Sequence, residues 1–209
     1  MKRALTLLLL SALAFSCGDL GGPKIPSRDG YRAILSFSQD DRYEVFVRGE
    51  NRRVEGLIDG SRLIKIARPD LHTVWQFRPE TKKLFETGWG PRDEIVPGYP
   101  FDPKFDPVAY ADRFGAGDAI TQVGDAIHGL HPCDVYRMAL PSGDVVTIYA
   151  ARDLERIVVR IEHSKKDANG LLQPYANTEL LDVRPGVKPS LFEKPTGYTT
   201  VNSYEALNR

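Results

Sequence analysis

Two cysteines, four histidines and several adjacent carboxylates are the groups with which this 209-residue chain could do chemistry, and their spacing decides how much. His128, His131, Cys133 and Asp134 lie close enough to suggest a metal. Structural zinc sites recur at characteristic ligand spacings, however, and this cluster follows none of them; Pro132 also interrupts it. The expectation is therefore a turn entering a strand, with Cys133 as a small buried apolar residue, and neither metal nor cofactor. Ser61 and Ser142 fall in polar turns, and no nucleophile-elbow sequence surrounds them. Asp40-Asp41 and Asp93-Glu94 sit where turns or loops are expected, as solvated charge. No glycine-rich phosphate loop is present. Arg52-Arg53 could meet an anionic headgroup, or could guard a strand edge against aggregation. With no catalytic spacing in hand, the chain is not expected to be an enzyme.

Cys17 carries a different chemistry. Met1-Lys2-Arg3 is basic, and residues 4 to 15 are apolar apart from Thr6 and Ser11, which is the layout of a secretory signal and too short for a membrane-spanning helix. The stretch Leu13-Ala14-Phe15-Ser16-Cys17 resembles the lipobox of bacterial lipoproteins, with Ala14 where Leu is commonest and a bulky Phe15. That resemblance implies a signal peptide over residues 1–16 and an acylated Cys17 as mature N-terminus; the alternative is an ordinary cleaved signal with an incidental cysteine. A thioether at Cys17 would leave Cys133 unpaired. Residues 17–30, with Gly18, Gly21, Gly22, Pro23, Pro26 and Gly30, then read as a flexible tether. Gly18 follows the cysteine in place of the aspartate that marks inner-membrane retention in enteric bacteria. The expectation favours the outer membrane, with Asp19 one place later keeping the inner membrane open.

Composition bounds the rest. Hydrophobic residues make up 42% and charged residues 27%, enough to bury a core. Lys+Arg and Asp+Glu number 28 each, so no basic footprint for nucleic acid exists. From Tyr31 the apolar residues alternate in short runs: 31 to 37, 43 to 47, 53 to 58, 62 to 67, 73 to 77 and 83 to 87. Turn residues separate them, Asp59-Gly60 being a strong hairpin signal. Strands resume over 119 to 123, 135 to 140, 145 to 150, 157 to 163 and 177 to 184. This is an antiparallel meander with one face buried. Between the two sets, residues 88 to 107 hold Trp89, Pro91, Pro97, Tyr99, Pro100, Phe101, Pro103, Phe105 and Pro107, which excludes helix and inner strand. A long loop packed over the sheet or a cavity mouth is expected, then a short helix with Asp106 as cap and Pro107 at its first position.

The order of short motifs resembles a known family. Val45-x-Val47-x-Gly49, Arg52-Arg53-Val54-Glu55, Asp59-Gly60, Arg68-Pro69-Asp70, Val74-Trp75 and Pro79-x-x-Lys82-x-Leu84-Phe85-Glu86 run through the first half. Gly124, Gly129, Cys133-Asp134-Val135-Tyr136 and Leu191-Phe192-x-x-Pro195-x-Gly197-Tyr198 follow in the second. Together they are similar to the periplasmic LolA/LolB-like outer-membrane lipoprotein carrier superfamily, in an uncharacterised lipoprotein branch. The resemblance implies a mainly β (α+β) fold over residues 31–201: a strongly curved antiparallel sheet, or half-barrel, with short helices and a long Pro/aromatic loop covering its concave face. Residues 202–209 are expected to be a polar tail. The implied function is a lipid-anchored cell-envelope protein on the periplasmic side. It would bind a lipid or the acyl chain of a lipoprotein in its concave cavity, in lipoprotein or lipid trafficking. The competing reading is a structural or sensory module that meets a protein partner through the same sheet. Trp75, Phe77, Trp89, Tyr99, Phe101 and Phe105 are the candidate ligand contacts, and the loop residues 91 to 104 are expected to be removable without unfolding the sheet.

Overall fold

Period-two alternation organises the chain into twelve strands of one open, curved sheet. The computed structural model describes residues 29–37, 41–90, 93–102, 104–116 and 119–208. The signal peptide, Cys17 and the tether up to residue 28 lie outside the described residues. One antiparallel meander comprises β1 (Tyr31–Ser36), β2 (Arg42–Arg48), β3 (Asn51–Ile58), β4 (Ser61–Arg68), β5 (Thr73–Arg78) and β6 (Lys83–Gly88). A second comprises β7 (Ile120–His128), β8 (His131–Ala139), β9 (Val145–Ala151), β10 (Ile157–Lys166) and β11 (Leu172–Pro185). Pairing of β1 with β11 joins the two, and β12 (Thr199–Val201) adds a short parallel edge beside β6. The resulting order is β12-β6-β5-β4-β3-β2-β1-β11-β10-β9-β8-β7.

Local chemistry agrees with this order. At the β3–β4 turn Asp59 and Gly60 take φ of 53° and 75°, the left-handed pair that a two-residue hairpin needs. Helix α1 (Pro107–Arg113) begins where Asp106 accepts hydrogen bonds from the Val108 and Ala109 amides.

Topology then dictates what covers each face. β6 lies next to one end of the sheet and β7 forms the other, so the segment between them must cross the whole concave face. It does so as the Pro/aromatic loop and α1, burying Ile95, Val96, Tyr99, Phe101, Phe105, Tyr110 and Ala111 against residues of both meanders, among them Val45, Val47, Val146 and Ile148. The chain leaving β11 crosses the opposite face to reach β12. Its Val187 and Phe192 pack on Phe46, Ile64, Ile66, Trp75, Phe77 and Leu84.

Three differences from the sequence reading concern extent. β7 and β8 reach to His128 and His131, and β11 begins at Leu172, because polar residues on wet strands leave no apolar alternation to read. The parallel β12 has too few residues to show a period. The polar tail is tied down: Glu205–Asn208 forms a 3-10 turn, Leu207 is fully buried, and its carbonyl accepts the Thr81 hydroxyl.

Candidate functional site: an apolar cavity under the loop

Alternation on β2, β3 and β4 sends Tyr43, Val54, Gly56, Ile58, Leu63 and Lys65 to the concave face. With Phe37 at the end of β1 they form the floor and walls of a cavity of about 200 Å³, and Ile95, Val96 and Pro97 of the crossing loop roof it. Tyr43 stands opposite Gly56 across the β2–β3 ladder. A Cβ on Gly56 would come within 2.3 Å of the Tyr43 ring, so only glycine lets that ring lie across the sheet. Phe37 meets Tyr43 edge-on, with centroids 5.7 Å apart.

The roof is held by committed polar groups. The Tyr99 hydroxyl donates to the Val158 carbonyl at the bulge in β10, and the Tyr110 hydroxyl donates to the Gly98 carbonyl. Glu94 accepts the Gly98 amide, and Arg113 reaches Glu94 at 3.6 Å and Asp102 at 3.2 Å. Arg52 approaches Asp102 from β3 at 3.9 Å. Burial pushes the phenols of Tyr31, Tyr99 and Tyr110 well above the usual tyrosine range.

Lys65 is the one lining residue with a cationic side chain. It is half-buried, and desolvation holds its ammonium below the usual lysine range.

The six residues singled out from sequence divide between the two faces of the sheet. Trp75 and Phe77 share a face, as alternation requires, but it is the convex face, where Phe77 packs on Tyr198 with centroids 5.1 Å apart. Tyr99, Phe101 and Phe105 lie on the concave side as core, and Trp89 packs against that core from its edge. None of the six lines the cavity. Phe37, Tyr43, Ile95, Val96 and Lys65 do. Their signals were a lysine in phase with Leu63 and Ala67, and an aliphatic pair inside an aromatic loop.

The His/Cys cluster is committed internally. His131 Nδ1 lies 2.9 Å from Asp153, and the Cys133 thiol donates to the His131 carbonyl at 3.4 Å. Burial pushes that thiol up to about 11, which keeps it protonated and unreactive. Among the described residues no three of His, Cys, Asp and Glu are grouped to hold a metal.

No protein-family profile matches the chain, and no curated relative matches it by sequence. Solved structures do. An uncharacterized conserved protein from Thermus thermophilus is similar with a TM-score of 0.52 at 11% identity, over 83% of this chain and 90% of that one. A LolA superfamily structure is also among those similar to it. That protein, from Nitrosomonas europaea, matches at a TM-score of 0.34 and 12% identity, over 82% of this chain and 92% of its own. MucB in the Pseudomonas aeruginosa MucA/MucB complex matches at 0.48 and 12%, over 85% of this chain, which spans 60% of that one. At 11% identity the likeness to the Thermus thermophilus protein is one of fold, and the chain's own twelve-stranded sheet is the open, curved half-barrel that the sequence resemblance implies.

Proposed function

We propose that this chain is a lipid-anchored protein of the cell envelope that takes an apolar chain, of a lipid or of an acylated protein, into the cavity beneath its crossing loop. One observation carries the reading: about 200 Å³ stays open beneath the crossing loop, walled chiefly by aliphatic and aromatic side chains. That volume is below the roughly 300–1,000 Å³ of common ligand pockets, so it suits a segment of one acyl chain rather than a whole lipid. Each methylene buried there contributes about 0.8 kcal/mol. A binding role also fits the inert Cys133 and the engaged His131 better than catalysis does. Acylation of Cys17 would place the domain at the membrane, on the periplasmic side and by preference at the outer membrane, where such chains are presented.

Native mass spectrometry of the purified chain tests this. Adducts of acyl-lipid mass that disappear on delipidation support it, whereas an adduct-free chain that also takes up no added lipid overturns it.

A protein-partner reading is favoured by a separate observation. Strand β7 is a nine-residue sheet edge, and Val123, Ile127 and Leu130 at and beyond it are exposed, Leu130 to 93%. Loss of partner capture on Ile127→Lys, with lipid uptake intact, would support it.

A further inference from the structure

The cavity contains one feature that an indifferent apolar slot has no use for. Lys65 sits in the middle of β4, in phase with Leu63 and Ala67, both of which are buried, and it lines the cavity beside Val54, its partner on β3. Gln76, its partner on β5, carries no charge. The acids of the neighbouring strands lie on the other side of the sheet: Glu55 pairs there with Arg53 and Arg62, and Glu44 stands opposite Glu55 in the ladder. Among the described residues Lys65 therefore makes neither a hydrogen bond nor an ion pair. Even partial withdrawal of an ammonium from water without an anion is costly, and desolvation holds this one below the usual lysine range. A methionine or leucine would line the same wall without that cost.

We infer that Lys65 receives the carboxylate of a single-chain fatty acid whose tail occupies the cavity. The inference rests on the cavity reading above and adds the class of ligand. Geometry and charge agree on it. The volume admits one chain, the walls offer it only apolar contact, and the single charge available is positive. A carboxylate on Lys65 would give the partly desolvated ammonium a charge-assisted partner, in a pair stronger than a neutral one. A neutral alcohol or ester of the same length would fill the cavity but leave the ammonium unpaired.

The test is displacement of Nile red from the full chain carrying Cys17→Ser, which keeps the protein's own acyl groups out of the assay. Decanoate and decanol are the competitors, against wild-type Lys65, Lys65→Met and Lys65→Arg. Lys65→Met is expected to weaken decanoate about tenfold, the usual effect of losing one charged hydrogen bond, while leaving decanol unchanged. Lys65→Arg is expected to keep decanoate affinity. Lys65→Gln repeats the contrast should the methionine variant fail to fold. Decanoate and decanol weakened equally, or decanoate unaffected by loss of the charge, would overturn the assignment of the headgroup and leave the cavity reading standing. Failure of the wild type to bind Nile red, decanoate or decanol would overturn the cavity reading and this one with it.

Discussion

Alkaline pH should unfold this protein through three tyrosines that meet beneath the crossing loop. Tyr31 lies on β1, Tyr99 in the loop and Tyr110 on α1; each is at most 3% exposed. Burial raises all three phenols, and they face one another closely enough for Tyr31 and Tyr110 to push Tyr99 higher still. A phenol with a raised native pKa contributes stability that is fully present below its unfolded value of about 10. That stability is lost as pH rises toward the native value, because only the unfolded chain releases the proton. Each such group lowers the unfolding free energy by about 1.4 kcal/mol per pH unit in that window, so three lower it by about 4 kcal/mol per unit. Two units above pH 10 the loss, about 8 kcal/mol, matches the whole stability of an ordinary domain. Lys65 and Arg52 are shifted down by burial and act in the opposite sense, so a difference measurement is needed. Urea unfolding at a series of pH values from about 9 to about 12 should show a slope reduced by about 1.4 kcal/mol per pH unit in Tyr99→Phe. Phenolate absorbance should meanwhile show these three of the nine tyrosines titrating only as the fold is lost. An identical slope in Tyr99→Phe, with all nine phenols titrating normally in the native state, would mean that the loop stands open and the reasoning is wrong.

Three further perturbations have defined outcomes. Deleting residues 91 to 104 strips Ile95, Val96, Tyr99 and Phe101 from the core, so the variant is expected to be insoluble or molten by near-ultraviolet circular dichroism rather than a folded sheet lacking a lid. Cys133 should react with a thiol reagent far more slowly in the native state than in urea, and Cys133→Ala should cost about 1–2 kcal/mol in urea unfolding, with no loss of bound metal. Cys17→Ser should turn a detergent-extracted protein into one released without detergent, since two or three acyl chains hold where one does not; a wild type that fails to incorporate a fatty-acid analogue would contradict this.

Strand alternation was legible where a strand is wet on one face and buried on the other, as Tyr31, Ala33 and Leu35 show against Arg32 on β1. Asp106-Pro107 marked the helix start for the same local reason. What sequence did not reveal was the sheet order. Trp75 and Phe77 could be assigned to a common face but not to the convex one, since that depends on where the chain beyond β11 runs. The aromatic loop was readable as a cover and unreadable as core, because proline and aromatic content describes backbone constraint and not depth. The cavity was hidden for a related reason: Phe37, Tyr43 and Ile95 meet only once the loop has crossed the sheet.

Filling the cavity tests the account's central claim most directly. Leu63 lies in its wall, 3% exposed, and Leu63→Trp would put an indole into the space of about 200 Å³. With an unchanged far-ultraviolet spectrum and a cooperative melt, Leu63→Trp should lose at least about tenfold of the affinity for Nile red. Undiminished binding by that folded variant would show that apolar ligands are held elsewhere on the molecule.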